Sequence, residues 1–389
     1  MNKPAFDPKD QRARLDARPV WAEIDLDAIT RNVARVREMA PEGTRLIVPI
    51  KANAYGLGAV EITRHLAGLD VDGIATADVD TALAIRAAGI DLRILVYGAQ
   101  LPEGNDRLVA NDLTPTVYDA GGVAALAALA KCLDRVIPVH MKVDAGLGRL
   151  GVRLDDACAL AVEIEDTTGL YLEGVYTHIP YADPAKADWS QRRLNAFADV
   201  VTKIEAQIGR SIDFAQAAAS SVMLGGFPDP LNTVSPGHLV FGLPPIAGID
   251  ILDHGFTPAL RALKTRIIHI NHRWPGDDLP TPVAEGAGID TAVVLYGMAN
   301  GYASAAEGRT SVMLCRGQEC PVLGVSAEYT ILDISACADA SVGDEVTIIG
   351  ADGAQQVRTE QVAADLGAPS AAYWMVGLRD LPRFYLSEE

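Results

Sequence analysis

Short apolar runs recur along the first two thirds of the chain, each closing on a polar residue or a glycine. They are LIVPIKA (46–52), GIATAD (73–78), RILVYG (93–98), TPTVY (114–118), VIPVHMKVD (136–144), LEGVYTH (172–178), FAQAAAS (214–220) and TVSPGHLVFG (233–242). Between most of them lie alanine- and leucine-rich segments such as DTALAIRAAG and DACALAVEIED, whose apolar positions repeat at helical spacing. Eight short strands alternating with helices predict an α/β fold, a parallel (β/α)8 barrel of the TIM type, with its active site at the C-terminal ends of the strands.

Beyond about residue 250 the texture changes. TRIIHINHRW, AVVLYGM, SVMLCR, AEYTILDIS and DEVTIIG are β-rich runs separated by Gly, Pro and Asp turns, with little helical signal. They predict a second, mostly antiparallel β domain. The expected division is a polar tail over 1–20, a barrel over 21–250 and a β domain over 251–389. WAEIDLDAI (21–29) alternates ahead of the first barrel strand and is a candidate to pair with the β domain.

With 49% hydrophobic and 22% charged residues, the chain has the profile of an ordinary globular enzyme. Its 51 acidic against 33 basic residues give a formal charge of −18, which argues against nucleic acid or an anionic membrane as the main partner. A small anionic ligand in a locally basic pocket stays compatible with that balance. The polar N-terminal stretch lacks the apolar core of a signal peptide, and no apolar run reaches membrane-spanning length, so the expected location is cytoplasmic. Five scattered cysteines suggest reduced thiols; Cys315 and Cys320 lack the His or Cys cluster that would complete a zinc site, and no metal is expected.

Reactive residues fall at the predicted strand ends. Lys51 ends the first; Lys142 and Asp144 end the fifth, followed by AGLGRLG with Arg149. His178 ends the sixth, Ser220 and Ser221 the seventh, and Gly237 lies within the eighth. Singly, each has a bland reading: a snorkelling surface lysine, a structural histidine, a serine turn. Together they place an amine, a guanidinium, an imidazole and a small-residue backbone cradle at one face, which suits a phosphorylated aldehyde cofactor bonded to the lysine.

KANAYGLG (51–58) resembles the pyridoxal-phosphate lysine motif of the alanine racemase family, with Leu57 where the family usually has His. The similarity continues in order through WAEIDLDAI, MKVDAGLGRLG, YTHIPYAD, the Ser220 region, SPGHLVFG, GMANGY, GDEVTIIG and the final PRFY. The resemblance implies a fold-type III pyridoxal-phosphate barrel plus β domain and a small amino-acid substrate. It also implies a head-to-tail homodimer whose sites borrow residues from the partner's β domain. Lys51 would hold the cofactor and serve as one acid/base at Cα. Tyr55, Ser220 and the backbone around Gly237 and His238 would hold the phosphate. Arg149 would reach the phenolic oxygen, oriented by Lys142, where the family often carries a carbamylated lysine. His178 would lie near the ring and the second base.

Three departures fall on this chemistry. The family's GYADGY, whose first tyrosine is the second base, here reads Gly297-Met298-Ala299-Asn300-Gly301-Tyr302; a thioether exchanges no proton. Strand alternation makes Tyr296 the expected substitute, with Tyr329 or a water as alternatives. Ser235 stands where the family carries an arginine toward the pyridine nitrogen; a serine can also hydrogen-bond a neutral nitrogen, as in pyridoxal enzymes that perform β-elimination. The family's Met-Asp pair near the substrate carboxylate becomes Ala327-Glu328, and Leu378 replaces a tyrosine before the C-terminal Pro-Arg. The expected activity is racemisation of an amino acid other than or besides alanine. The alternative is a lyase, performing β-elimination or cleaving a hydroxy amino acid.

Overall fold

A computed structural model of the chain describes residues 19–98, 101–181, 183–277, 288–378 and 381–387. The chain divides into two compact units, Ala28–Thr257 and Met1–Asp27 with Pro258–Glu389. The division therefore falls seven residues later than the sequence suggests at both boundaries, because Val20–Asp25 is a strand of the second unit. Most of the expected N-terminal tail lies outside the described residues.

All eight apolar runs of the first unit form strands: Arg45–Pro49, Gly73–Thr76, Ile94–Val96, Thr116–Val117, Ile137–Asp144, Leu170–Tyr176, Phe214–Ala219 and Thr233–Ser235. Each pairs in parallel with its neighbours in chain order, and the eighth pairs with the first. Between the third and fourth a parallel bridge, Leu95 to Thr114, completes the ring. Gly237 is not within the eighth strand, which stops at Ser235; it opens a short helical turn, Gly237–Val240.

Ile94, Leu95 and Val96 are all fully buried, as expected for a strand covered on both faces. The inside of the barrel is packed by Ile47, Ala75, Leu95, Tyr176 and Phe214, one from each of five strands. The guanidinium groups of Arg45 and Arg93 both lie 4.8 Å from the Phe214 ring centroid. Helices follow the strands and start on side-chain caps: the Asp78 carboxylate accepts from Asp80 N at Val79–Ala87, and Asp119 from Gly122 N at Ala120–Leu133.

In the second unit the 14-residue strand Leu260–Arg273 is the spine. It pairs antiparallel with Val20–Asp25, Ile289–Val294 and Glu345–Asp352. Val20–Asp25 in turn pairs in parallel with Arg383–Leu386, so the expected pairing of WAEIDLDAI with the β domain is found. Val312–Cys315 and Gln318–Val325 form a hairpin whose two turn residues, Arg316 and Gly317, both take positive φ, the twist-matched geometry for a two-residue turn. Two short helices that the sequence did not suggest, Thr359–Asp365 and Ala371–Met375, lie near the C-terminus.

Truncating Phe214 removes a buried ring and the face on which two guanidinium groups rest. Phe214→Ala should cost about 3–5 kcal/mol of stability, read by urea denaturation; a loss below about 1 kcal/mol would mean that the barrel interior collapses around the gap.

Candidate active site

The strand ends of the barrel surround a cavity of about 500 Å3. Its wall includes the nine barrel residues expected around the cofactor, Lys51, Tyr55, Lys142, Arg149, His178, Ser220, Ser235, Gly237 and His238, together with Ser221; Asp144, also singled out from the sequence, is not part of it.

Lys51 reaches it through an unusual piece of backbone. The first strand ends at Pro49, and Ala52, Asn53, Ala54 and Tyr55 then take φ of 49°, 58°, 54° and 55°. This is a left-handed turn made almost wholly by residues with a Cβ, which costs roughly 1–2 kcal/mol per residue. Gly56, at φ 85°, closes it, and the Asn53 side chain accepts from Ala59 N at 2.8 Å. The turn brings Lys51 and Tyr55, four residues apart, to the same cavity.

The fifth strand delivers Lys142, and its last residue organises the loop to Arg149. The Asp144 carboxylate accepts from Gly146 N at 2.8 Å and Gly148 N at 2.9 Å. Those amide bonds, including one from Leu147, hold its pKa below the usual range although burial pushes the other way. Gly151, at φ 132°, passes so close to the strand that a Cβ would lie 2.5 Å from Asp144 N. The glycines of AGLGRLG are thus needed by the backbone.

The opposite wall comes from the turns after the seventh and eighth strands, which Ser220 ties together by accepting from Leu239 N at 3.1 Å. A Cβ on Gly237 would meet the Tyr55 hydroxyl at 2.5 Å, so only glycine leaves the backbone open beside that phenol. The Tyr55 ring is held edge-on by His238, with centroids 5.3 Å apart, and by Phe241 at 5.4 Å.

The chain is strongly acidic, yet this cavity gathers cations. Burial, then the Arg149 charge, lowers the pKa of Lys51; its side chain is open to the cavity, but the surrounding wall strips water from the amine and disfavours its charged form. Lys142 is buried over the Tyr176 ring, 4.3 Å from its centroid. Burial, Arg149 and Lys51 lower it to about 7 against the pull of Asp144. Burial and the cations bring His178 down to about 3, and burial with Lys51 brings His238 to about 4, so both imidazoles are neutral at ordinary pH. Such a site awaits negative charge.

Pyridoxal phosphate fits these residues. The amine of Lys51 can bond its aldehyde, while Tyr55, Ser220 and the backbone bared at Gly237 can take its phosphate. Arg149 can face its phenolic oxygen.

Several wall residues escaped the sequence reading: Tyr97, Tyr176, Tyr181 and Gln216. Gln216 had a signal, as the one polar residue inside the apolar FAQAAA. Tyr97 had another, one residue past the end of its strand, where the barrel architecture puts chemistry.

In the β unit, three of the departures from the family pattern, Met298, Ala327 and Glu328, lie on adjoining exposed segments. Met298 N donates to Ser326 O at 3.1 Å and Ala299 N to Ala327 O at 2.8 Å. Met298 is 57% exposed and Tyr329 43%, and Ala327 and Glu328 are also exposed. The expectation for Tyr296 needs correction. The strand ends at Val294 and Met298 begins a 3-10 turn, so alternation does not place the two on one face. Tyr296 is 0% exposed, its ring packs on Tyr302 at 5.6 Å, and its hydroxyl donates to Asn300 O at 3.2 Å. Burial, and then Tyr302, raises its pKa further. Leu378, in the position expected for a tyrosine, is buried in the same unit.

Comparison with known proteins matches residues 24–245 to the alanine racemase N-terminal domain and residues 262–385 to the alanine racemase C-terminal domain. The chain is 32% identical to an alanine racemase of Desulfovibrio desulfuricans over 95% of its own length and 98% of that protein. It is 29% identical to one of Methanococcus maripaludis, over 95% and 99%. The solved alanine racemase of Clostridium difficile superimposes with a TM-score of 0.84 at 27% identity, covering 95% of this chain and 96% of that one. The enzyme from a D-cycloserine-producing Streptomyces lavendulae gives 0.85 at 26%, covering 96% and 98%. By both domains and by the lysine, arginine and small-residue cradle of its barrel cavity, the chain belongs to the alanine racemase family of pyridoxal-phosphate-dependent amino-acid racemases.

Proposed function

We propose that this member interconverts the enantiomers of an amino acid other than or besides alanine, with a changed group for the second proton transfer. The observation that carries the proposal is a contrast. The cofactor-holding residues converge in one cavity, whereas the position of the family's second base is Met298.

Bound in the cavity, pyridoxal phosphate supplies the electron sink that makes a substrate's Cα proton removable. Lys51 anchors it and, with its lowered pKa, carries a proton to or from one face of Cα. Tyr55, Ser220 and the Gly237–His238 backbone hold the phosphate. Arg149 holds the phenolic oxygen, with Lys142 as its orienting neighbour; an amine with a pKa of about 7 is also neutral often enough to suit carbamylation.

The cavity has its own candidate for the second transfer. Tyr97 and Tyr176 spend their hydroxyls on Ser235 and Thr116. Tyr55 faces the phosphate cradle, and His178, brought down to about 3 by burial and the cations, is a weak base. Tyr181 lines the cavity three residues beyond His178. Its ring is clamped edge-on by Phe227 at 4.7 Å and by Gly225, where a Cβ would come within 2.8 Å of it. We assign the second proton transfer to Tyr181 in place of Tyr296.

Substrate choice falls to the Met298, Ala327 and Glu328 patch of a second copy, laid over the mouth of the cavity in a homodimer. An exposed methionine beside an exposed tyrosine favours such cover. The small Ala327 leaves room for a larger side chain than a methyl, and Glu328 reaches one methylene further than aspartate.

Proton NMR of the cofactor-loaded protein in D2O, with a panel of L- and D-amino acids, tests this. The α-proton signal should vanish as the opposite enantiomer appears, with a substrate other than alanine turned over at least as well as alanine. A 2-oxo acid with ammonia, or an aldehyde with glycine, would establish the lyase reading that the neutral Ser235 also suits. Lys51→Ala should abolish exchange at Cα, and exchange that persists removes Lys51 from the reaction. Tyr181→Phe should slow racemisation by about 10²–10⁴-fold while leaving Lys51-dependent exchange on one enantiomer. An unchanged rate moves the second transfer elsewhere, with Tyr329 next in line.

A further inference from the structure

Three polar side chains of the cavity wall form a chain that the mechanism above does not use. Gln216 Nε2 donates to the Tyr97 hydroxyl at 3.4 Å, and the Tyr97 and Ser235 hydroxyls lie 2.8 Å apart. Gln216 and Ser235 are 5% and 4% exposed, and Gln216 Oε1 is buried without a partner among the described residues. The Tyr97 ring is fixed, packed on the barrel core and 5.3 Å from the Tyr176 ring.

The Gln216 amide N–H donates to the Tyr97 oxygen. Between Tyr97 and Ser235 either hydroxyl can donate; with the Tyr97 proton on Ser235 Oγ, the chain runs from Gln216 through Tyr97 to Ser235. In that arrangement Ser235 keeps an O–H for which no acceptor is found among the described residues, in a buried site where such a donor calls for a partner.

The position of Ser235 says what it meets. The eighth strand lies between the first, which leads to Lys51, and the seventh, which leads to Ser220. A ring bonded at Lys51 and held by its phosphate at Ser220 and Gly237, with its phenolic oxygen at Arg149, has one polar atom left: its nitrogen. An unprotonated pyridine nitrogen is a pure acceptor, and the Ser235 O–H is the unspent donor.

We infer that Tyr97, itself held by Gln216, orients Ser235 to donate a hydrogen bond to the ring nitrogen of pyridoxal phosphate. Tyr97 is a positioning residue that acts through Ser235. A neutral donor leaves the nitrogen unprotonated without placing a charge beside it, which moderates the electron sink and favours simple proton exchange at Cα. The inference rests on the cofactor reading of the cavity.

The test loads the protein with pyridoxal phosphate labelled with 15N in the ring and follows the ring-nitrogen resonance through a pH titration, alongside the cofactor's dissociation constant. In the wild type, the resonance should be that of an unprotonated, hydrogen-bonded nitrogen that does not titrate while the protein is folded. Ser235→Ala should move it to the position of a nitrogen without a donor, and Tyr97→Phe should move it most of the way. The double variant should go no further than Ser235→Ala. Each single variant should weaken cofactor binding by about tenfold, the scale of one lost hydrogen bond. A protonated nitrogen in the wild type, or a Tyr97→Phe resonance identical to wild type, overturns the inference and leaves the cofactor site standing. Failure of the wild type to bind the cofactor at all overturns both.

Discussion

Everything in the barrel cavity depends on the left-handed turn that follows the first strand. Four consecutive residues with side chains sit where L-residues are penalised by about 1–2 kcal/mol each, and only Asn53 among them has a local propensity for that region. The offsetting terms come from around it: Ala54 and Leu57 are fully buried, Asn53 caps the next helix, and Tyr55 packs between His238 and Phe241. The strain is a placement device, joining an amine and a phenol on one wall of a rigid barrel.

The second organising feature is charge held against the grain of the composition. A chain of formal charge −18 collects Lys51, Lys142 and Arg149 in one partly dry cavity. Burial first, and then the neighbouring cations, lower the pKa of the lysines and of His178, so the amines become better nucleophiles and the imidazole stays neutral. The burial and charge crowding that activate Lys51 also make the site receptive to a phosphate and a phenolate. Net charge thus speaks to solubility and long-range steering, while a few converging side chains decide what the pocket accepts.

The β unit shows how far a motif departure is informative. Met298, Ala327 and Glu328 come from segments nearly thirty residues apart, and backbone hydrogen bonds between 297–300 and 326–329 join them into one exposed patch. Changes that look independent along the chain are therefore one change in space. Tyr296 illustrates the opposite. It is two residues from Met298, yet the strand has already ended and its ring is core.

The sequence by itself determined the eight barrel strands, the β-rich second unit, the pairing of Val20–Asp25 with that unit, and nine wall residues of the cavity. It could do so because strand periodicity is local and because a parallel barrel forces strand ends to one face. Only the tertiary structure decided the rest. The unit boundaries hinge on which sheet Val20–Asp25 joins, a non-local pairing. The end of the eighth strand before Gly237 turns on where the ladder stops. The core position of Tyr296, the clamp on Tyr181 and the Gln216–Tyr97–Ser235 chain join residues up to 138 apart in sequence. No window of sequence contains both partners of such a contact, so its chemistry becomes legible only when the barrel closes.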